Sequence, residues 1–148
     1  MSGQGALVAD QLALVAPWTL ALGRGEVRVV CNEGWRLSAR LAAAGVPVGQ
    51  LTAVCITHLH SDHITDLNDV ITTHYIMSQS ETPLHIYGPP RTQEVVDATL
   101  AALAPDISYR LAHHPDTLTW QPNVVVTEVQ PGMSFSVGET KIFVGKTN

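Results

Sequence analysis

The stretch LTAVCITHLHSDHITDL, residues 51–67, joins a continuous apolar run to a dense group of polar side chains. The run LTAVCIT has the length and composition of a central strand, because such strands are buried on both faces. Four residues of metal-ligating type follow within six positions, namely His58, His60, Asp62 and His63. A helix is expected next, over about residues 64–78, since apolar residues recur there at helical spacing. Asp66 and Asp69 are expected to face away from that apolar stripe.

Further elements are expected on both sides of this stretch. In chain order they are a hairpin at 18–22 and 26–31 with a turn at 23–25, a helix at 33–44 with Asn32 as N-cap, a strand in PLHIYGPP (83–90), a helix in RTQEVVDATLAAL (91–103), and strands near 124–129 and 141–144 with a turn at 131–132. This order implies a single domain with an α/β layered architecture, in which helices cover a mixed sheet.

Composition restricts the class of protein. Of the 148 residues, 45% are hydrophobic and 14% are charged, a balance that can bury a core. The formal net charge is −5 with 8 basic residues, so no stripe for binding nucleic acid is evident. No stretch approaches the roughly 18 consecutive apolar residues of a membrane span. Cys31 and Cys55 show no CxxC spacing, which favours a reducing compartment and a cytoplasmic location.

The histidine cluster indicates metal binding. Neutral imidazole and carboxylate are ligands that zinc and similar divalent ions prefer. His58 and His60 are two positions apart just after a strand, so both can reach one ion. Asp62 and His63 are adjacent and can approach a second ion from a turn entering a helix. Two such ions can activate a shared water as a nucleophile. The alternative is an incidental group of surface histidines.

The sequence THLHSDH, residues 57–63, resembles the HxHxDH signature of the metallo-β-lactamase superfamily. The longer stretch ITHLHSDHITDLNDVI, together with IYGPP at 86–90, is similar to the ribonuclease Z branch and its arylsulfatase-like and phosphodiesterase-like relatives. The resemblance implies an αββα sandwich fold and a zinc-dependent hydrolase. In ribonuclease Z the reaction is endonucleolytic cleavage at the 3′ side of precursor tRNA.

The same resemblance implies a role for each residue of the cluster. His58 and His60 resemble ligands of a first zinc ion, and Asp62 and His63 resemble ligands of a second. Asp62 also resembles a catalytic proton acceptor beside the bridging water.

The family pattern is only partly present. A third histidine, a bridging aspartate and a last histidine complete the family's ligand set, and they have no match here. VCNEG at residues 30–34 stands where relatives commonly have DCGEG. We therefore expect residues 1–148 to form one domain, the amino-terminal part of a metallo-β-lactamase-like hydrolase, with the carboxyl-terminal half of the sandwich absent. With two recognisable ligands per zinc, the chain is expected to bind metal weakly and to have little or no activity alone. The apolar surface of such a half is expected to associate with another copy or another chain.

The remaining histidines are expected to contribute less. His113 and His114 are adjacent, and on a strand at most one of them could help the site. His74 and His85 are expected to be structural.

Three functional hypotheses follow. The first is a ribonuclease Z-like hydrolase acting on precursor tRNA or on a small phosphodiester or ester. The second is a non-catalytic metal-binding remnant or interaction module. The third is a lactonase or arylsulfatase-like ester hydrolase of the same superfamily. The low positive charge weakens the tRNA hypothesis for this chain, because phosphate-backbone binding is largely electrostatic.

Overall fold

A computed structural model describes residues 12–16, 19–24, 27–32, 37–43 and 45–145. The strands are β1 Leu12–Ala16, β2 Thr19–Arg24, β3 Val27–Asn32, β4 Ala53–Ile56, β5 Leu84–Gly88, β6 Val124–Glu128, β7 Ser134–Val137 and β8 Thr140–Phe143. The helices are α1 Leu37–Ala43, α2 Ser61–Ile64, α3 Leu67–Met77 and α4 Thr92–His113, with a 3₁₀ turn at Val48–Gln50.

Strands β1 to β6 form one mixed sheet in chain order, and β7 and β8 form a separate hairpin. The β1–β2 and β2–β3 pairs are antiparallel, whereas β3, β4, β5 and β6 pair in parallel. Parallel neighbours need crossover connections, which the helices between them provide. The predicted fold class, a mixed sheet with covering helices, is thereby confirmed.

The apolar strand β4 separates two layers of packing. Val54 and Ile56 point to the helical layer, where α1, α3 and α4, together with the 3₁₀ turn, Leu51 and β5, complete the larger core. Ala53 and Cys55 lie on the other face, in contact with the smaller core around Val137 of the β7–β8 hairpin. Burial on both faces explains why residues 51–57 are apolar without alternation.

Several boundaries differ from the sequence-based expectation. The expected helix over 64–78 divides into α2 and α3, because the backbone of Asp66 (φ −84°, ψ 1°) leaves helical geometry between them. The hairpin strand β7 was not predicted. Two expected features lie outside the described residues, namely the turn residue Gly25 and the start of the first long helix at residues 33–36.

Helix α4 is longer than predicted. It continues through Pro105 to His113, although proline removes one helical hydrogen bond and usually signals an end. Beyond the proline, Arg110 Nε donates to the Asp106 carboxylate at 2.7 Å, a stabilising pair one turn apart. Within the described ranges, no helix is both long and apolar enough to cross a membrane.

Candidate metal centre

The histidine cluster lies directly after β4, at the edge of the sheet where the parallel strands have their carboxyl ends. Ligand sites in open α/β sheets commonly form at this edge. His58 lies on the loop, His60 is the N-cap of α2, and Asp62 and His63 lie within α2. The strand, loop and helix expected from the sequence are therefore present, with the helix beginning earlier than predicted.

The structure brings the three imidazoles of the cluster together. The ring centroids of His58 and His63 are 3.8 Å apart, and those of His58 and His60 are 4.7 Å apart. The rings of His58 and His60 are nearly perpendicular, at 83°. One loop thus presents three nitrogen-bearing rings side by side.

The carboxylate of the cluster lies beside one of these rings. Asp62 Oδ2 is 3.4 Å from His63 Nε2. The side chain of His63 is 13% exposed and that of Asp62 is 75% exposed, so the imidazole is packed while the carboxylate meets solvent. Thr57 Oγ1 lies 3.2 Å from His58 Nδ1, a hydrogen bond that orients the His58 ring.

The donor set fits zinc in its chemistry but not in its arrangement. Three imidazoles and one carboxylate are donors that this ion accepts. In the part of the chain that the structure describes, no three side chains of His, Cys, Asp or Glu are grouped as a complete metal site. A full centre therefore requires further donors or a rearrangement of this loop.

The other histidines lie apart from this centre. His74 is buried, and its Nε2 is 3.0 Å from the Leu51 carbonyl oxygen, which can only accept, so Nε2 carries the proton. Burial lowers the pKa of His74, opposed in part by this hydrogen bond. This structural role confirms the expectation for His74. His85 is half-buried on β5, and its ring is 6.4 Å from that of Tyr87.

His113 and His114, considered above for the case of a strand, lie instead at the end of a helix. His113 is the last residue of α4 and His114 is its C-cap, and both are exposed. The extension of α4 beyond Pro105 places them there.

Sequence reasoning missed the contact made by Asp66. Asp69 is exposed, as expected, but Asp66 is half-buried, and its carboxylate accepts a hydrogen bond from the backbone N–H of Leu37. An aspartate just before an apolar helix is a common N-cap, so the residue type was a signal. Its partner belongs to another helix, which no local pattern could identify.

The loop after β5 lies at the same edge of the sheet. Thr92 is fully buried, and its Oγ1 donates to the Pro89 carbonyl oxygen at 2.6 Å. Arg91 has a left-handed backbone (φ 78°) and pairs with Glu94 on the surface at 2.9 Å. A Cβ atom on Gly88 would lie 2.3 Å from Thr92 Oγ1, so only glycine fits there without rearrangement. The IYGPP stretch is therefore closely packed where β5 ends, at the same edge of the sheet as the histidine cluster.

Comparison with known proteins identifies the family. The chain belongs to the β-lactamase superfamily, because the family described as "Beta-lactamase superfamily domain" matches residues 27–146. The resemblance inferred from the HxHxDH signature is confirmed.

Within this superfamily the chain is similar to ribonuclease Z. It is 44% identical over 134 residues to ribonuclease Z of Mycobacterium sp. (strain KMS), a match that covers 89% of this chain and 46% of the relative. The chain therefore spans about half the length of the curated relatives it matches.

Solved structures support the fold. The metallo-β-lactamase fold protein YhfI from Bacillus subtilis matches with a TM-score of 0.57 and 21% identity, over 90% of this chain and 44% of that protein. Human tRNase Z, short form, matches with a TM-score of 0.53 and 24% identity, over 78% of this chain and 40% of that protein. The metallo-β-lactamase fold implies metal ions as cofactors.

Proposed function

We propose that this chain is the amino-terminal part of a zinc-dependent, ribonuclease Z-like hydrolase domain, with His58, His60, Asp62 and His63 as its metal ligands. The observation that carries the proposal is the packing of three imidazoles beside one carboxylate at the ligand-binding edge of the sheet. Similarity to curated ribonuclease Z sequences over most of this chain supports the same reaction class.

The residues of the loop have distinct roles in this proposal. Zinc, when bound, would lower the pKa of a water molecule and stabilise charge on a phosphoryl oxygen. His58, oriented by Thr57, and His60 would hold the metal from the loop, and His63 would hold it from α2. Asp62 is exposed beside His63, where its carboxylate can also accept a proton from the attacking water.

The proposed substrate is a phosphodiester, with precursor tRNA as the form processed by the whole protein. The relatives' name, ribonuclease Z, supports an RNA substrate, and the family resemblance implies precursor tRNA, whereas the net charge of −5 gives this chain little attraction for a polyanion. Basic surface would then come from another part of the protein or from a partner. A small phosphodiester avoids this requirement and is the better first probe.

The experiment measures zinc content and hydrolysis of a chromogenic phosphodiester, for the wild type, for His58→Ala/Asp62→Ala and for His113→Ala as the matched control. His113 is an exposed histidine outside the cluster, so its replacement should change neither quantity. We expect the double variant to lose both zinc and zinc-dependent turnover. Equal zinc content and equal rates in the wild type and the double variant would refute the proposal.

A non-catalytic metal-binding module is the second candidate. Among the described residues, no three donor side chains are arranged so that they could hold one ion, which favours it. This candidate predicts that zinc binds weakly, depends on His58 and Asp62, and supports no turnover at any zinc concentration. Turnover that disappears in the double variant would exclude it.

The proposal also includes association and a cytoplasmic location. Val125 in β6 is 39% exposed and Phe143 in β8 is 61% exposed, so apolar surface is available for another copy or another chain. Cys31 and Cys55 show no CxxC spacing, which suits a reducing compartment.

A further inference from the structure

Helix α2 carries Asp62 and His63 and is a single turn, of which the His63 side chain is packed against His58. It is four residues long, and none of them is buried. Its N-cap, His60, forms no capping hydrogen bond through its side chain. Of its own residues only Ile64 packs against the large core, and only in part. A single helical turn is unstable by itself, so the position of α2 depends on its ends.

Asp66 connects the carboxyl-terminal end of α2 to two other helices. Its carbonyl oxygen accepts the N–H of Val70 at 2.9 Å and so begins α3. Its carboxylate makes no capping bond to α3 and instead accepts the N–H of Leu37, which is 29 positions earlier. Leu37 is the first residue of α1 and is 1% exposed. Asp66 therefore connects α1, α2 and α3.

The contact is favourable for electrostatic as well as geometric reasons. The N–H groups of a first helical turn need partners outside their own helix, and negative charge is stabilised there. The first turn of α1 contains no acidic residue of its own. The carboxylate of Asp66 supplies both the acceptor and the charge from another part of the chain.

We propose that Asp66 is a positioning residue for the metal loop, which holds α2 against α1 and thereby orients Asp62 and His63. The inference rests on the proposed function in so far as it treats Asp62 and His63 as metal ligands. The effect of Asp66 on the position of α2 does not depend on bound metal. The neighbouring Leu67, 2% exposed, sets how deeply α3 packs. A hydrogen bond is directional, and the bond to Leu37 fixes the direction in which α2 leaves the junction.

Hydrogen exchange of the metal-free chain tests the structural part. The α2 amides form hydrogen bonds from His63 and Ile64 to His60 O, and from Thr65 to Ser61 O. In Asp66→Ala, we expect the amides of residues 63–65 to exchange about tenfold to 150-fold faster, the effect of losing one charge-assisted hydrogen bond. The amides of β4 should be unaffected. Asp66→Asn keeps an oxygen acceptor and should recover most of the protection.

Asp69→Ala is the matched control. Asp69 is exposed on α3, and its Oδ1 accepts a hydrogen bond from Thr73 Oγ1 at 3.2 Å, so this variant removes an aspartate without disturbing α1. Its exchange should equal that of the wild type. If Asp66→Ala loses protection throughout the chain, Asp66→Glu is measured in its place, because glutamate keeps the charge but shifts it by one methylene. In either variant, selective loss in residues 63–65 supports the proposal. If both variants lose protection in equal proportion in residues 63–65 and in β4, the proposal is overturned.

Cobalt(II) binding tests the link to the metal ligands. Affinity is measured by competition with a chromophoric chelator, together with the cobalt absorption spectrum, at a temperature where all variants are folded. We expect Asp66→Ala to bind about fivefold more weakly or worse, with an altered spectrum, and Asp66→Asn to resemble the wild type. Unchanged exchange in residues 63–65, or unchanged cobalt affinity, overturns the inference. Absence of cobalt binding in the wild type, with the expected exchange, would instead refute the proposed function.

Discussion

Replacing Gly49 with alanine inserts one methyl group between the 3₁₀ turn and the end of α3. A Cβ atom on Gly49 would lie 2.7 Å from the carbonyl carbon, the carbonyl oxygen and the Cβ of Met77. These atoms belong to the backbone or are fixed to it, so no side-chain rotation can remove the overlap. Ordinary contact between carbon atoms begins near 3.5 Å, which requires the turn and the helix to separate by about 0.8 Å.

That separation would also weaken two polar contacts. Ser78 Oγ donates to the Gly49 carbonyl oxygen at 3.3 Å, and His74 Nε2 donates to the Leu51 carbonyl oxygen at 3.0 Å. Overpacking costs about 1–3 kcal/mol, and a buried polar group left without its partner costs about 1–3 kcal/mol. Because part of the strain relaxes, we expect a loss of about 2–4 kcal/mol in the free energy of unfolding, or a melting temperature lower by about 6–12 °C.

Gly145→Ala is the matched control, because nothing lies within 4 Å of a Cβ atom there and neither glycine needs a left-handed backbone. Urea and thermal unfolding of both variants, followed by circular dichroism, measure the difference. Gly145→Ala should remain within about 0.5 kcal/mol of the wild type. If the two variants differ by less than that amount, the close packing of the turn on α3 is not as the structure has it.

Two further predictions concern the same structural frame. Gly88→Ala would place a Cβ atom 2.3 Å from Oγ1 and 3.0 Å from Cγ2 of Thr92, so we expect it to destabilise by about 1–3 kcal/mol. Gly88→Ala/Thr92→Ala should lose less than the sum of the single variants in unfolding experiments, and strict additivity would contradict this reasoning. Burial lowers the pKa of His74, so the unfolded chain takes up its proton first as the pH falls below about 6.5. The stability supplied by neutral His74 should be complete above that pH and should decline towards the lowered pKa. The wild type should therefore lose more stability between pH 8 and pH 5 than His74→Gln, and equal losses would argue against a neutral buried His74.

The location of the candidate site was predictable from the sequence because its pattern is local. An apolar strand, four potential ligands and a following helix stand within one stretch, and backbone periodicity alone places the ligands at the end of the strand. The mixed sheet with covering helices followed from the order of the elements, and the structure confirmed it. The four metal ligands themselves remain a prediction.

Other features depended on context beyond the local pattern. The helix expected over residues 91–103 continues through Pro105 to His113. The helix after the cluster divides at Asp66, where a half-buried carboxylate binds another helix instead of facing solvent. Propensity and periodicity describe single elements, and tertiary contacts can override both.

The sequence by itself determined the chemistry of this protein's candidate site, because residue type and spacing define which donors one loop can offer. Only the tertiary structure decided how those donors are arranged, with the His63 ring 3.8 Å from that of His58 and with Asp66, between α2 and α3, accepting the N–H of Leu37 in α1. The physical reason is distance along the chain. Periodicity acts over a few residues, whereas the contact between Leu37 and Asp66 spans 29 positions and exists only once the helices have packed on the sheet.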